Sequence, residues 1–186
     1  MRSAIFAFAM FFTGIPFTHA QLRLPQVFSD HMVLQRDIPI KIWGWADKKD
    51  KLTIVFQGDT VYTTADKKGN WQVALPSYPA GGPFELAIFG KQSLTFSNVL
   101  LGDVWICSGQ SNMEWPLKAS NNAAEEIGSA TYPRIRLLTV DKNTSATPRS
   151  DMASSGWTVC SPHTISDFSA VAYFLAEKYM KILMCP

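Results

Sequence analysis

The sequence predicts a two-part fold: an antiparallel β-sandwich in the N-terminal half, then the incomplete start of an α/β domain. Three observations predict it. Between Leu22 and about Asn98, apolar residues recur with period two in short runs spaced about ten residues apart. From Val99 a continuous apolar run leads into a small polar segment. After Thr164 the apolar spacing becomes helical.

The first twenty residues stand apart from both parts. Arg2 gives a short positive start, Ala4 to Phe12 is an apolar run, and Gly14 and Pro16 break it. Thr18-His19-Ala20 then places small residues where a signal peptidase reads. Residues 1–20 are therefore expected to be a secretory signal peptide cleaved after Ala20. The apolar run falls short of the roughly 20 residues a spanning helix needs. The expected product is secreted or periplasmic, with no membrane span once the leader is removed.

In residues 21–98, Ile38, Ile40 and Ile42 alternate with Pro39, Lys41 and Trp43. The same rhythm returns at Leu52, Ile54 and Phe56, at Trp71, Val73 and Leu75, and at Phe84, Leu86 and Ile88. Polar or glycine-rich turns separate these runs at residues 47–50, 57–59, 66–70 and 79–83. Strands with one buried and one wet face belong to an antiparallel sandwich.

In residues 99–186, Val99 to Cys107 reads as a buried strand running into Ser108-Gly109-Gln110-Ser111-Asn112. Ile135 to Val140 reads as a second strand, expected to lie parallel to the first, and Asp141 to Gly156 as a polar loop. Phe168, Val171, Ala172, Leu175 and Tyr179 fall on one helical face. Thr164 and Asp167 are spaced as a capping box, with Lys178 and Lys181 at the far end of the dipole. Two parallel strands with one or two helices cannot cover both faces of a parallel sheet. Residues 99–186 are thus expected to be a truncated domain.

Composition excludes several functions. The 186 residues carry 17 Lys+Arg against 15 Asp+Glu, a net charge of +2, with no basic run longer than two residues. No nucleic-acid partner is expected from that. Three cysteines, Cys107, Cys160 and Cys185, are too scattered for a zinc site or a stapled scaffold, although export would permit a Cys107–Cys160 bridge. Neither a metal-ligand cluster nor a phosphate-cradling glycine loop is present, so no cofactor is expected. Asn143-Thr144-Ser145 is a glycosylation sequon only in a eukaryotic host.

The chemistry is expected at Ser111. A loop at the carboxyl end of a strand is where α/β folds place ligands, and Gly109 lets the chain turn sharply. The backbone N–H of a serine at such a turn can face a developing oxyanion. G-Q-S-N is not the G-x-S-x-G elbow, so spacing alone leaves a nucleophile and an ordinary polar loop both open.

The block from Leu101 to Leu117, L-G-D-V-W-I-C-S-G-Q-S-N-M-E-W-P-L, closely resembles the nucleophile block of the sialate O-acetylesterase family. Leu24 to Arg36, Trp43-Gly44-Trp45-Ala46, Trp157 to Pro162 and Asp167 to Phe174 resemble it too, so that the likeness spans residues 22–181. The family comprises SGNH-type hydrolases that remove acetyl groups from sugars. The resemblance implies a three-layer hydrolase domain behind a β-sandwich, Ser111 as nucleophile, and the Ser111 N–H as an oxyanion donor. The implied substrate is an O-acetylated carbohydrate such as an acetylated sialic acid. Further glycine and asparagine donors and an Asp-x-x-His element complete such sites, and this sequence contains none of them, so poor turnover is expected of these 186 residues alone.

His163 does not supply the missing base by pattern, because Cys160 stands where the aspartate should be. His31 belongs to the sandwich segment. Glu114 and Asp103 flank the serine without an evident role. Trp43, Trp45 and Trp71 could form a sugar-stacking platform, but filling the core is the favoured reading. The alternative to an esterase is a non-catalytic secreted β-sandwich that binds glycans or a protein partner.

Overall fold

The computed structural model describes residues 21–183. The leader assigned to residues 1–20, and Cys185, lie outside the described residues. Strands β1 (Val33–Gln35), β2 (Ile40–Trp45), β3 (Lys51–Phe56), β4 (Asp59–Thr64), β5 (Asn70–Leu75), β6 (Gly81–Phe89) and β7 (Ser93–Gly102) come first. They are followed by α1 (Ser111–Glu114), α2 (Ala123–Ser129), the pair β8 (Tyr132–Leu137) and β9 (Thr158–Cys160), and α3 (Ala170–Leu183).

Strands β1-β7-β6-β3-β4 form one sheet in that order, and β2 pairs with β5 in a second. All pairings are antiparallel except β1 with β7, which run parallel with Val33 opposite Leu100 and Gln35 opposite Gly102. The larger sheet is therefore mixed rather than purely antiparallel. Alternation decides which face is buried: Leu52, Ile54 and Phe56 of β3 point inward while Lys51 and Thr53 do not. With Ile42, Leu86, Ile88, Val99 and Met32, none more than 1% exposed, they make a single apolar core shared by both sheets. Asp50 is the one buried charged residue among those described; its carboxylate accepts the Lys91 N–H at 3.2 Å.

Gly44 of β2 is fixed by crowding. A Cβ there would lie 2.4 Å from the Arg23 carbonyl oxygen and 2.9 Å from the Trp71 ring. Only glycine admits this close approach of the Arg23 backbone and the tryptophan.

A smaller core gathers Leu117, Ala130, Ile135, Leu137, Cys160, Ile165 and Tyr173. Here the structure corrects several expectations. The expected strand from Val99 to Cys107 ends at Gly102, because residues 103–107 have no ladder partner among the described residues. The expected parallel pairing is absent among the described residues as well: β8 pairs instead with β9, and the pair is antiparallel. The T-x-x-D box does not cap the helix. Thr164 Oγ1 donates to the Val159 carbonyl at 2.6 Å and accepts the Ser161 N–H, and Asp167 pairs with Lys118. The helix starts later, and Ser169 Oγ accepts the Ala172 N–H. Its buried face is Ala170, Ala172 and Tyr173, whereas Val171 and Leu175 are nearly half exposed. Both sides of α3 are apolar, so spacing alone could not choose the side that packs.

Candidate active site

Ser111 is the first residue of the single-turn helix α1 and is exposed. The N–H groups of Met113 and Glu114 both point to the Gln110 carbonyl, at 2.9 and 3.3 Å, closing the turn. The N–H groups of Ser111 and Asn112 have no partner among the described residues, as expected of first-turn positions. Gly109 lies just ahead of the turn, where a Cβ would sit 3.1 Å from Met113 Cβ.

The serine is anchored from downstream. The Ala170 N–H donates to the Trp115 carbonyl, Leu117 N–H to Phe168, and Lys118 N–H to Ser166. Ser169 Oγ approaches Met113 Sδ at 3.4 Å. The start of α3 therefore holds the end of α1, while buried Leu117 drives that contact into the small core.

Upstream, Asp103 follows β7 directly. Arg36 reaches it through Nε at 2.9 Å and Nη2 at 3.3 Å, and the Tyr179 hydroxyl donates to it at 3.1 Å. The Arg36 hydrogen bonds hold the Asp103 carboxyl below the usual aspartate range, against a smaller upward push from partial burial. A carboxylate depressed below its unfolded value of about 3.9 stabilises the fold fully above that pH. The increment is lost as pH falls through the folded value. Urea titrations between about pH 5 and 2 are expected to show part of the acid destabilisation missing in Asp103→Asn.

His31 is half-buried, with Nδ1 2.8 Å from Asn98 Nδ2. Arg136 Nη2 donates to Asn98 Oδ1 at 2.8 Å, so the amide nitrogen must face the ring and donate. The His31 Nδ1 therefore accepts, and is engaged away from Ser111. His163 is exposed in a turn and hydrogen-bonds to no described side chain. Neither histidine meets Ser111 among the described residues. Glu114 pairs with Lys142 of the polar loop at 2.8 Å, both largely exposed.

Trp71 is buried, Trp43 packs edge-on to Phe28 with centroids 4.9 Å apart, and Trp45 lies under Arg23 at 3.8 Å. All three are occupied by packing rather than presented as a platform. An open apolar cleft of about 880 Å³ lies between residues 101–107, β8 and α3, and Ser111 does not line it.

Cys107 and Cys160 do not pair: Cys107 is exposed and Cys160 lies in the small core. Burial pushes the Cys160 thiol up to about 11. At pH 8, alkylation with iodoacetamide is expected to mark Cys107 at least about tenfold faster than Cys160, read by peptide mass spectrometry. Equal rates would show that the small core is open.

The chain is similar to known acetylesterases in both sequence and structure. The chain is 32% identical to the sialate O-acetylesterase of Mus musculus over 133 residues, 63% of this chain and 24% of that protein. It is 33% identical to the Homo sapiens enzyme, with the same share of this chain and 25% of that protein. The crystal structure of a carbohydrate acetylesterase from Xanthomonas citri superposes with a TM-score of 0.83 at 35% identity. The match covers 85% of this chain and 37% of that one. Over the matched stretch the chain is similar to the sialate O-acetylesterases. It spans about a quarter of the length of the curated relatives it matches. No protein-family model matches it.

What sequence reasoning missed in this sialate O-acetylesterase relative is the support around the serine. Arg36, Tyr179 and Ser169 hold its two flanks from elements far away in sequence. The block containing Val33-Leu34-Gln35-Arg36 carried the only hint.

Proposed function

We propose that this chain carries the nucleophile-bearing part of an exported carbohydrate O-acetylesterase acting on sialic acid or related acetylated sugars. Ser111 Oγ attacks the acetyl carbonyl carbon, and the backbone N–H of Ser111 donates to the oxyanion. The carbonyl re-forms, the sugar oxygen departs and takes up a proton, and water then releases acetate from the acetyl-serine. The five- and two-stranded sheets, with β7 running on to Gly102, are read as the two layers of a β-sandwich, and the residues beyond Gly102 as the opening of an SGNH-type three-layer domain. The leader directs the product to the periplasm or the exterior.

The observation that carries this reading is the exposed Ser111, whose N–H has no partner among the described residues, in a chain whose relatives are named acetylesterases. A general base must take the serine proton, and among the described residues no histidine or carboxylate is hydrogen-bonded to Ser111. Residues 1–186 alone are therefore expected to turn over slowly. A rate within about tenfold of the Xanthomonas citri enzyme would overturn that expectation. The direct test grafts residues 21–181 onto the remaining portion of that enzyme and measures acetate release from O-acetylated sialic acid and acetylated xylose. Release from neither sugar would reject the reading.

A further inference from the structure

Four successive residues from the end of β7, Gly102 to Trp105, are held by two parts of the molecule, Gln35-Arg36 after β1 and Tyr179 of α3. The Gly102 carbonyl accepts the Arg36 N–H at 3.0 Å. The Asp103 carboxylate takes the forked Arg36 guanidinium and the Tyr179 hydroxyl. The Val104 N–H donates to Gln35 Oε1 at 2.9 Å. The Trp105 ring meets the Tyr179 ring edge-on at 5.5 Å. Beyond Trp105, the backbone from Ile106 to Ser111 makes no hydrogen bond through its N–H groups among the described residues, and Ile106 is 93% exposed. The joint at residues 102–105 is thus the last fixed point before the serine.

We propose that Arg36 is a positioning residue, which through Asp103 sets the direction in which the Ser111-bearing segment leaves β7 and ties that segment to α3. This rests on the reading of Ser111 as nucleophile. Two contacts from one planar fork fix an orientation as well as a distance, which a lysine ammonium cannot do. Asp37 takes the remaining arm of the fork, Nη1, at 2.7 Å without touching Asp103. The N-terminal β region, the serine segment and the helix are therefore joined through one carboxylate.

Cys107 lies between the joint and Ser111, is exposed, and reports on the segment directly. A nitroxide attached to Cys107 in the full chain, with Cys185→Ser removing a second thiol, reads local mobility by electron paramagnetic resonance. Arg36→Lys and Asp103→Asn are each expected to speed the label's motion at least about twofold, on the nanosecond scale. Tyr179→Phe, which deletes only a hydroxyl, gives a smaller increase and is the variant to rely on if the others unfold by far-ultraviolet circular dichroism. Asp37→Asn is expected to leave the label unchanged. Unchanged mobility in the folded Arg36 and Asp103 variants, or in Tyr179→Phe if they unfold, overturns the proposal, as does an equal response to Asp37→Asn. The measurement needs no turnover, and Ser111→Ala is expected not to alter it. Loss of the esterase reading and loss of the joint are therefore separate outcomes.

Discussion

Ser111→Ala, made in the graft onto the Xanthomonas citri esterase, is expected to lower acetate release by at least about a thousandfold. That corresponds to about 4 kcal/mol of transition-state stabilisation. The substitution removes the atom that bonds to the acyl carbon but keeps the backbone N–H, so oxyanion binding survives and only a residual rate remains. Ser108→Ala is the matched control: it is also exposed and three residues away, and it should change the rate less than about threefold. A Ser111→Ala graft that keeps its rate would move the chemistry to another group. Equal losses from both substitutions would point to damage of the loop rather than loss of a nucleophile.

Phe56→Ala should have the largest effect on stability, about 3–5 kcal/mol. The ring is fully buried at the end of β3. It meets Tyr78 edge-on at 5.3 Å and Phe84 at 6.0 Å. Truncation removes apolar burial, leaves a cavity, and breaks both aromatic contacts. Phe56→Leu, which fills most of the space, is expected to cost about 1–2 kcal/mol. Urea unfolding monitored by tryptophan fluorescence separates the two. Indistinguishable midpoints would mean that the two sheets do not close on this ring. Tyr78, whose hydroxyl donates to Asp59 at 2.8 Å, is pushed up to about 12 by burial and by that carboxylate. It marks the polar edge of the same cluster.

The β half was legible because its strands have one wet face, and a half-buried strand writes its period into the sequence. β3, β5 and β6 fall where Leu52, Trp71 and Phe84 begin their alternations. β4 was not anticipated, because only Val61 and Thr63 are even partly covered on that edge strand, leaving little apolar alternation to read. β1 was too short, at three residues, and is specified by its partner β7 rather than by its own composition. In the second half the run Val104-Trp105-Ile106-Cys107 has the composition of a buried strand. Ladder bonds form only with a neighbour, so composition alone could not place its end at Gly102. Ser111 stood out in the sequence as a candidate, but its environment could not be read there. The groups that hold its flanks come from residues 36, 169 and 179, and nothing local encodes such long-range contacts.

The parallel pairing of β1 with β7 also dictates an order of events during synthesis. Asp103 lies 67 residues after Arg36, and every strand from β2 to β6 emerges from the ribosome before the partner of β1 exists. Neighbouring hairpins such as β3–β4 and β6–β7 close short loops, whereas β1 must close the longest one in its sheet. Pulse-labelled hydrogen exchange should accordingly protect the Ile54 and Ile88 amides before that of Leu100, which donates to Met32. Until Gly102 has cleared the exit tunnel, Val33-Leu34-Gln35 is an unpaired sticky end, and the nascent protein depends on whatever shields it there.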